Sequence, residues 1–250
     1  MDKEGEVETE EEDATISNNV NYIYVSTVVL VLLFGIFAIN VRTLNANYSI
    51  VQALTGRGIA EQENSIEKRL EIFQEAINNS LPGRFEARHQ MANFSIQILR
   101  KSDVSQEQGK SIIRIVEPEL KKSLAEEPTS IRLPLVLSSF YEASQKFDPV
   151  APQKSIALIN DNLYLSPTRP QVYFELGQAY AFIGNIEKAY ESFEKAVELA
   201  PTVIDARMNL AVLYIVTQAY DLAEEQIQVM EELGLRELTP AGQILYVARV

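Results

Sequence analysis

The feature that most constrains this chain is a long, largely apolar stretch near its N-terminus. No charged residue occurs between Asp13 and Arg42, and within this stretch the segment from Tyr22 to Val41 reads YIYVSTVVLVLLFGIFAINV. An α-helix of about 20 residues is roughly 30 Å long, which matches the hydrocarbon core of a bilayer. Two tyrosines stand at the first end of the segment, where amphipathic rings favour the membrane interface. The sequence therefore predicts one transmembrane helix over residues 21–42.

Two other interpretations of the apolar segment fit less well. A cleaved signal peptide has a basic start, a shorter apolar run and a small-residue cleavage site, whereas here the preceding residues are acidic and no such site follows. A buried globular helix needs a core to enter, and the rest of the chain is amphipathic. The sequence does not determine on which side of the membrane the C-terminal part lies. Basic residues favour the cytoplasmic side, and Arg42 and Arg57 follow the span whereas Lys3 precedes it, which is a difference of only a charge or two.

The composition excludes several kinds of site. Acidic side chains crowd residues 1–13, which predicts a solvated, disordered tail or loop over residues 1–20. The net charge is −13 with no basic stripe, which argues against nucleic acid as a partner. The chain has no cysteine, and its single histidine, His89, is expected on an exposed helix face within residues 86–90. We predict no catalytic residue, no cofactor and no metal ligand, and we do not expect an enzyme.

After the apolar segment the pattern becomes that of amphipathic helices separated by turn residues. Turn signals such as Leu81-Pro82-Gly83, Ser166-Pro167 and Gly184-Asn185 recur about every fifteen residues. The periodicity predicts helices over residues 43–55, 62–79, 84–101, 104–124, 131–146, 152–163, 170–183, 186–199, 203–216, 220–232 and 240–250.

One 34-residue stretch, residues 170–203, places apolar and small residues at fixed offsets. Small side chains are expected where two paired helices cross closely, and large ones fill the space between them. The stretch resembles one tetratricopeptide repeat, with tyrosine in place of the first-position tryptophan. The pattern is met at Tyr173, Leu176, Gly177, Tyr180, Ala189, Phe193, Ala196 and Pro201. The resemblance implies an α–α solenoid of helical hairpins, so the predicted fold is all-α, with one transmembrane helix followed by that solenoid.

The repeat pattern continues on both sides of this stretch, but fewer of its positions are matched. Residues 43–130 are interpreted as degenerate helical repeats, and residues 131–250 as a tetratricopeptide-type solenoid whose last repeat is incomplete. The last predicted helix, over 240–250, has no partner helix in this sequence. Because stable arrays end in a capping helix, the chain is expected to be a fragment or to pair with another subunit, such as a second copy, through this helix.

The resemblance also implies a binding groove lined by the first helix of each repeat. Residue by residue, the family's groove positions fall on Gln171, Phe174, Gln178, Phe182, Asp205, Met208, Asn209 and Val212. This lining is mixed to apolar and lacks the Lys and Arg set with which some family members clamp a peptide carboxylate. A hydrophobic or helical protein partner is therefore expected. The alternative is that Phe174 and Phe182 only pack against neighbouring repeats.

Two classes of function follow from this organisation. The first is a membrane-anchored scaffold that mediates protein–protein interaction or assembly in the bacterial envelope. The second rests on a weaker resemblance, carried by Asn40-Val41-Arg42 and residues 47–54, to the segment that leaves the last membrane helix of O-antigen-ligase-like proteins. That resemblance implies an accessory module outside the cytoplasm, with the glycan-transfer domain absent from this chain. A purely structural homo-oligomer is a third possibility.

Overall fold

The computed structural model describes residues 3–59, 65–79 and 83–234. Every regular element within them is helical, which confirms the predicted all-α class. The elements are α1 (Lys3–Thr55), α2 (Ile66–Asn79), α3 (Arg84–Leu99), α4 (Gln106–Glu126), α5 (Arg132–Ser144), α6 (Ala151–Asn162), a 3₁₀ turn (Leu163–Leu165), α7 (Pro170–Phe182), α8 (Ile186–Leu199), α9 (Ile204–Val216) and α10 (Tyr220–Glu232).

Consecutive helices pack as hairpins, α1 with α2, α3 with α4, α5 with α6, α7 with α8 and α9 with α10. The first helices of successive hairpins contact one another in series, from α1 through α3, α5 and α7 to α9. Each second helix also packs on the first helix of the next hairpin. This is the arrangement of an α–α solenoid, in which each unit contacts mainly its neighbours. The odd-numbered helices therefore form one face of the solenoid and the even-numbered helices the other.

Helix α1 joins the apolar segment to the solenoid without a break. The sequence pattern treats the span and the helix over 43–55 as separate elements, but the structure has one continuous helix. Its large apolar side chains between residues 24 and 39 are exposed, whereas Ala46, Ile50 and Ala53 are buried in the core. By length and composition this helix could cross a bilayer. The two helices merge because neither glycine nor proline lies between them.

The acidic segment differs from its prediction. Where a disordered tail or loop was expected over residues 1–20, the backbone is helical from Lys3. Glutamate is a good helix former, and no proline interrupts the segment. The helix of the apolar span therefore extends back through the acidic residues.

The end of α1 is held by an arginine from its partner helix. The Arg69 guanidinium of α2 donates to the Ala53 carbonyl at 2.5 Å and also to the carbonyl of Leu54. The same guanidinium lies 4.4 Å from the centre of the Phe94 ring. The last carbonyls of a helix have no partner within the helix, and a cation there satisfies them. Arg69 therefore fixes the end of the long helix against the first repeats.

Two clusters of charged side chains tie the less regular repeats together. Arg88 of α3 donates to Glu119 at 3.1 Å and to Glu126 at 2.8 Å, both on α4. Glu117 of α4 accepts from the Tyr141 hydroxyl at 3.0 Å, and it also accepts from Lys154 of α6. These contacts link residues far apart in sequence, where the repeat pattern itself is weak.

The prediction that His89 lies on an exposed helix face is wrong. Ala87 and Arg88 are buried, and His89 is half-buried, with its Nε2 3.2 Å from Nδ2 of Asn93. The cause is the pair of carboxylates on α4, which draws the arginine face of α3 into the hairpin. A charge pattern alone does not reveal such a partner.

The loop between α5 and α6 is longer than a repeat of this kind requires, and Phe147 explains how it packs. The Phe147 ring is 3% exposed and lies in the main core cluster. It sits against Gly109 of α4, where an added Cβ would lie 2.2 Å from the ring. The loop therefore inserts a side chain into a notch that only glycine leaves open.

Predicted helix ends after Thr55 agree with the structure to within two residues, except that the helix predicted from residue 62 begins at Ile66. The helices predicted over 186–199 and 220–232 match α8 and α10 at both ends. The hydrophobic core is continuous across the boundary proposed at residue 130. Helix α5 contributes buried residues both to the main cluster, which includes α1 to α4, and to the smaller cluster that includes α7. The predicted helix over 240–250 lies outside the described residues.

Within residues 170–203 the signature residues meet between α7 and α8. An added Cβ at Gly177 would lie 2.6 Å from the Phe193 ring, and that ring is 2% exposed. Ala189 and Ala196 are fully buried beside it. Tyr173 donates from its hydroxyl to the Pro167 carbonyl at 2.7 Å. The close approach of the two helices thus depends on the absence of a side chain at residue 177.

Replacing Gly177 by alanine is expected to lower the free energy of unfolding by about 1–3 kcal/mol, because the added methyl group must displace the Phe193 ring. In an unhindered helix the same change would stabilise by roughly 0.5–1 kcal/mol. Urea unfolding followed by circular dichroism measures the effect. Gln178→Ala, one position along, is the control and should stay within about 0.5 kcal/mol. A Gly177→Ala protein as stable as the parent would contradict this packing.

Candidate protein-binding groove

A cavity of about 520 Å³ opens on the face formed by the odd-numbered helices. Ligand pockets in proteins commonly measure about 300–1,000 Å³, so this cavity is large enough to take several side chains. Its walls come from four successive hairpins. The lining residues are Asn93, Ile96 and Arg100 from α3, Leu135, Val136 and Ser139 from α5, Pro170, Gln171, Phe174, Glu175 and Gln178 from α7, Ala196 from α8, and Val203, Asp205 and Ala206 at the start of α9.

Four of the groove residues predicted from the sequence line this cavity. They are Gln171, Phe174, Gln178 and Asp205.

The other four predicted residues lie on α7 and α9 but do not line the cavity. Phe182 is 51% exposed at the end of α7. Met208 and Val212 are half-buried and pack on the apolar core between α7 and α10. Asn209 donates to the carbonyl of Asp205 at 2.8 Å, within its own helix. The cavity therefore lies toward the N-terminal ends of α7 and α9.

Phe174 takes part in both the core and the cavity. Its ring packs edge-on against Phe193, with ring centres 6.2 Å apart and planes at 64°. Aromatic pairs in this geometry hold each other in place. The half-buried Phe174 ring also lines the cavity. It is thus a fixed apolar wall that a ligand could contact.

The most unusual residue of the cavity is Glu175, which is 8% exposed. Its carboxylate accepts hydrogen bonds from the hydroxyls of Ser138 at 2.9 Å and Ser139 at 2.7 Å, both on α5. Ser138 in turn lies 2.7 Å from the hydroxyl of Ser155 on α6. A buried carboxyl group is costly unless its oxygens are hydrogen-bonded, and this network satisfies that need. Glu175 therefore links α7 to the preceding hairpin at the wall of the cavity.

Burial raises the pKa of Glu175 to about 7, because the charged form has lost most of its water. Hydrogen bonds from Ser139 and Ser138 lower the pKa and partly oppose this effect, the negative charge of Glu142 raises it, and the positive charge of Arg100 lowers it. The carboxyl is therefore divided between its neutral and charged forms near neutral pH.

The charges around the cavity are mainly negative. Arg100 is the one cation among the described lining residues, and its guanidinium is paired with Glu142 at 2.6 Å. Asp205 is exposed at the first turn of α9. Together with Glu175, it leaves the lining with an excess of carboxylates. The lining thus has the opposite sign to a cationic clamp for a peptide carboxylate.

Sequence reasoning missed Glu175, although one signal was present. Along α7, Val172, Leu176 and Ala179 mark the buried face, and Glu175 lies on that same face at helical spacing. A charged residue on an otherwise apolar buried face is the pattern that could have singled it out. Its serine partners belong to another hairpin and could not be named from this pattern.

Comparison with known proteins agrees with this architecture. A family model described as a tetratricopeptide repeat matches residues 170–203. The crystal structure of TTC0263, a thermophilic TPR protein of Thermus thermophilus, is 18% identical with a TM-score of 0.58, covering 82% of this chain and 98% of that one. MamA 41-end from Desulfovibrio magneticus RS-1 is 17% identical with a TM-score of 0.53, covering 77% and 94% respectively. No curated protein matches.

The fold is therefore that of a helical-repeat solenoid. The stretch over residues 170–203 is a tetratricopeptide repeat, as the residue pattern of α7 and α8 predicts. The weaker resemblance to O-antigen-ligase-like proteins finds no support in these matches.

Proposed function

We propose that this chain is a membrane-anchored scaffold of the cell envelope, which holds a protein partner in the groove of its solenoid. The single observation that carries the proposal is α1, whose exposed apolar part continues as the first helix of the repeats. Only residues 42–45 separate Val41, the end of the predicted span, from the first buried position at Ala46. At 1.5 Å per residue, the repeats begin within about 10 Å of the membrane surface.

The same continuity gives the scaffold a direction. A helix that crosses the bilayer and continues into the solenoid fixes the direction of the first hairpin relative to the membrane. Arg69 binds the end of this helix. The odd-numbered helices contact one another in series, so the face they form starts beside the membrane, and the cavity on that face is lined from α3 to α9. A partner bound in the cavity would be held near the bilayer, as expected for a membrane-anchored scaffold.

Anchoring is tested by placing charge in the span. Two arginines at the centre of a membrane helix cost roughly 2.5–3.5 kcal/mol each, so Leu32→Arg with Phe34→Arg is expected to move the full chain from the carbonate-resistant membrane pellet to the soluble fraction. Val216→Arg with Leu222→Arg changes two exposed apolar residues of the solenoid and should leave the chain in the pellet. An unmodified chain in the soluble fraction would refute the anchor.

Groove binding is tested by site-specific photocrosslinking in the intact host cell. A benzoylphenylalanine at Gln178, in the cavity, is expected to give a discrete protein adduct in the membrane fraction. The same group at Glu191, exposed on α8 away from the cavity, is the matched control and should not give that adduct. Equal adducts from both positions, or an adduct from Glu191 alone, would contradict the groove as the binding site.

A further inference from the structure

We infer that the groove takes a protein segment that places a lysine or arginine side chain between Glu175 and Asp205 and an apolar side chain against Phe174. This inference rests on the proposed function and names the chemistry of the partner. It is distinct from recognition of a peptide carboxylate, which needs an excess of cations at the groove.

The first argument is charge complementarity. Glu175 and Asp205 both line the cavity, and the nearby cation, Arg100, is already paired with Glu142. A segment that brings a negative charge would meet like charges, which costs binding energy and excludes such partners. A segment that brings a positive charge would meet two carboxylates without having to break the pair of Arg100 and Glu142.

The second argument is the hydrogen-bonding capacity of Glu175. A carboxylate offers about four acceptor positions on its two oxygens. Ser138 and Ser139 fill one position on each oxygen, and they hold the group in a fixed place. Acceptor capacity remains on a side chain that lines the cavity. An ammonium or guanidinium donor forms a stronger bond with a carboxylate than a neutral donor does.

The third argument is that burial leaves the charged form of the Glu175 carboxyl incompletely stabilised. Its raised pKa reflects lost water, which the two serines and the more distant Arg100 replace only in part, against the opposing charge of Glu142. A cation in the cavity would supply the missing favourable charge. The preformed wall of Phe174, held by Phe193, offers the adjoining apolar contact.

The test is a selection for binders. A phage-displayed library of random 12-residue peptides is selected on the full chain in detergent micelles, and enriched peptides are synthesised with a fluorescent label. We expect enrichment of peptides with Lys or Arg next to a large apolar residue. Their affinity should fall at least tenfold for Glu175→Gln with Asp205→Asn. Glu187→Gln with Glu191→Gln, which removes two exposed carboxylates on α8, should change it less than twofold.

Single variants keep the test decisive if the double variant folds poorly. Asp205→Asn alters an exposed carboxylate and is expected to keep the parent's circular dichroism while weakening binding severalfold. Enriched peptides that crosslink to Gln178 but carry no cation, or that bind the Asp205→Asn and Glu175→Gln proteins as tightly as the parent, would overturn this inference and leave the scaffold proposal standing. Selected peptides that never crosslink to Gln178 would overturn both.

Discussion

Replacing Arg88 by methionine is expected to lower the free energy of unfolding by about 3 kcal/mol, because it removes the buried cation from Glu119 and Glu126, which keep only the more exposed Lys122 and Arg84 as partners. The Arg88 side chain is 5% exposed, and that of its partner Glu119 is 12% exposed. The guanidinium also bonds Glu126 in two places. Methionine is similar in length to the aliphatic part of arginine but has no hydrogen-bond donor. Urea unfolding of the full chain in mild detergent measures the loss.

Two controls distinguish this effect from a general loss of charge. Lys195→Met breaks an exposed pair with Glu198 and should leave the free energy of unfolding nearly unchanged, because water screens such pairs. Adding Glu119→Gln to Arg88→Met should recover part of the loss, since it removes the buried charge that only the exposed Lys122 still pairs. If Arg88→Met costs no more than Lys195→Met, water reaches the cluster and the two hairpin helices are not held by a buried ion pair.

The contrast between α8 and α3 shows which parts of the fold were accessible from sequence. Helix α8 begins after Asn185, whose side chain accepts from the N–H of Lys188 at 3.2 Å, and Gly184 precedes it at φ 75°. Both signals lie within four residues of the helix start, and both are chemically specific. The helix boundaries there follow from local rules.

The burial of α3 follows from residues far away in the chain. Arg88 finds its partners 31 and 38 residues later, on α4, and nothing around residue 88 identifies them. Glu175 is similar, because its serine partners precede it by 36 and 37 residues on another helix. Pairings of buried polar groups depend on tertiary packing, so a sequence pattern can locate an unusual residue but not its partner.

The sequence pattern also did not predict that α1 is one continuous helix, for a different reason. The apolar span and the amphipathic helix after it differ in composition, which suggests two elements. A helix ends where its backbone is interrupted, and residues 36–55 contain neither glycine nor proline. Buried positions at Ala46, Ile50 and Ala53 recur at helical spacing after the span. A change in environment thus occurs along one uninterrupted helix.

The second large effect is a dependence of stability on pH that originates in Glu175. Its pKa is about 7 in the folded protein and 4.5 as a free side chain, so the folded state binds the proton more tightly than the unfolded state. Below about pH 4.5 the carboxyl is neutral in both states. As the pH rises from there to about 7, stability falls, and above pH 7 it has lost about 3 kcal/mol.

Glu175→Gln is expected to remove this loss. Glutamine has nearly the same shape, and its oxygen can still accept from Ser139. The parent should therefore lose roughly 2–3 kcal/mol more than the variant between pH 5 and pH 8, measured as the difference of two differences so that pH effects of other groups cancel. Glu191→Gln, an exposed carboxyl on α8, should follow the parent. If Glu175→Gln tracks the parent at both pH values, the Glu175 carboxyl keeps its ordinary pKa, water reaches the wall of the groove, and the burial argument for a cationic partner fails with it.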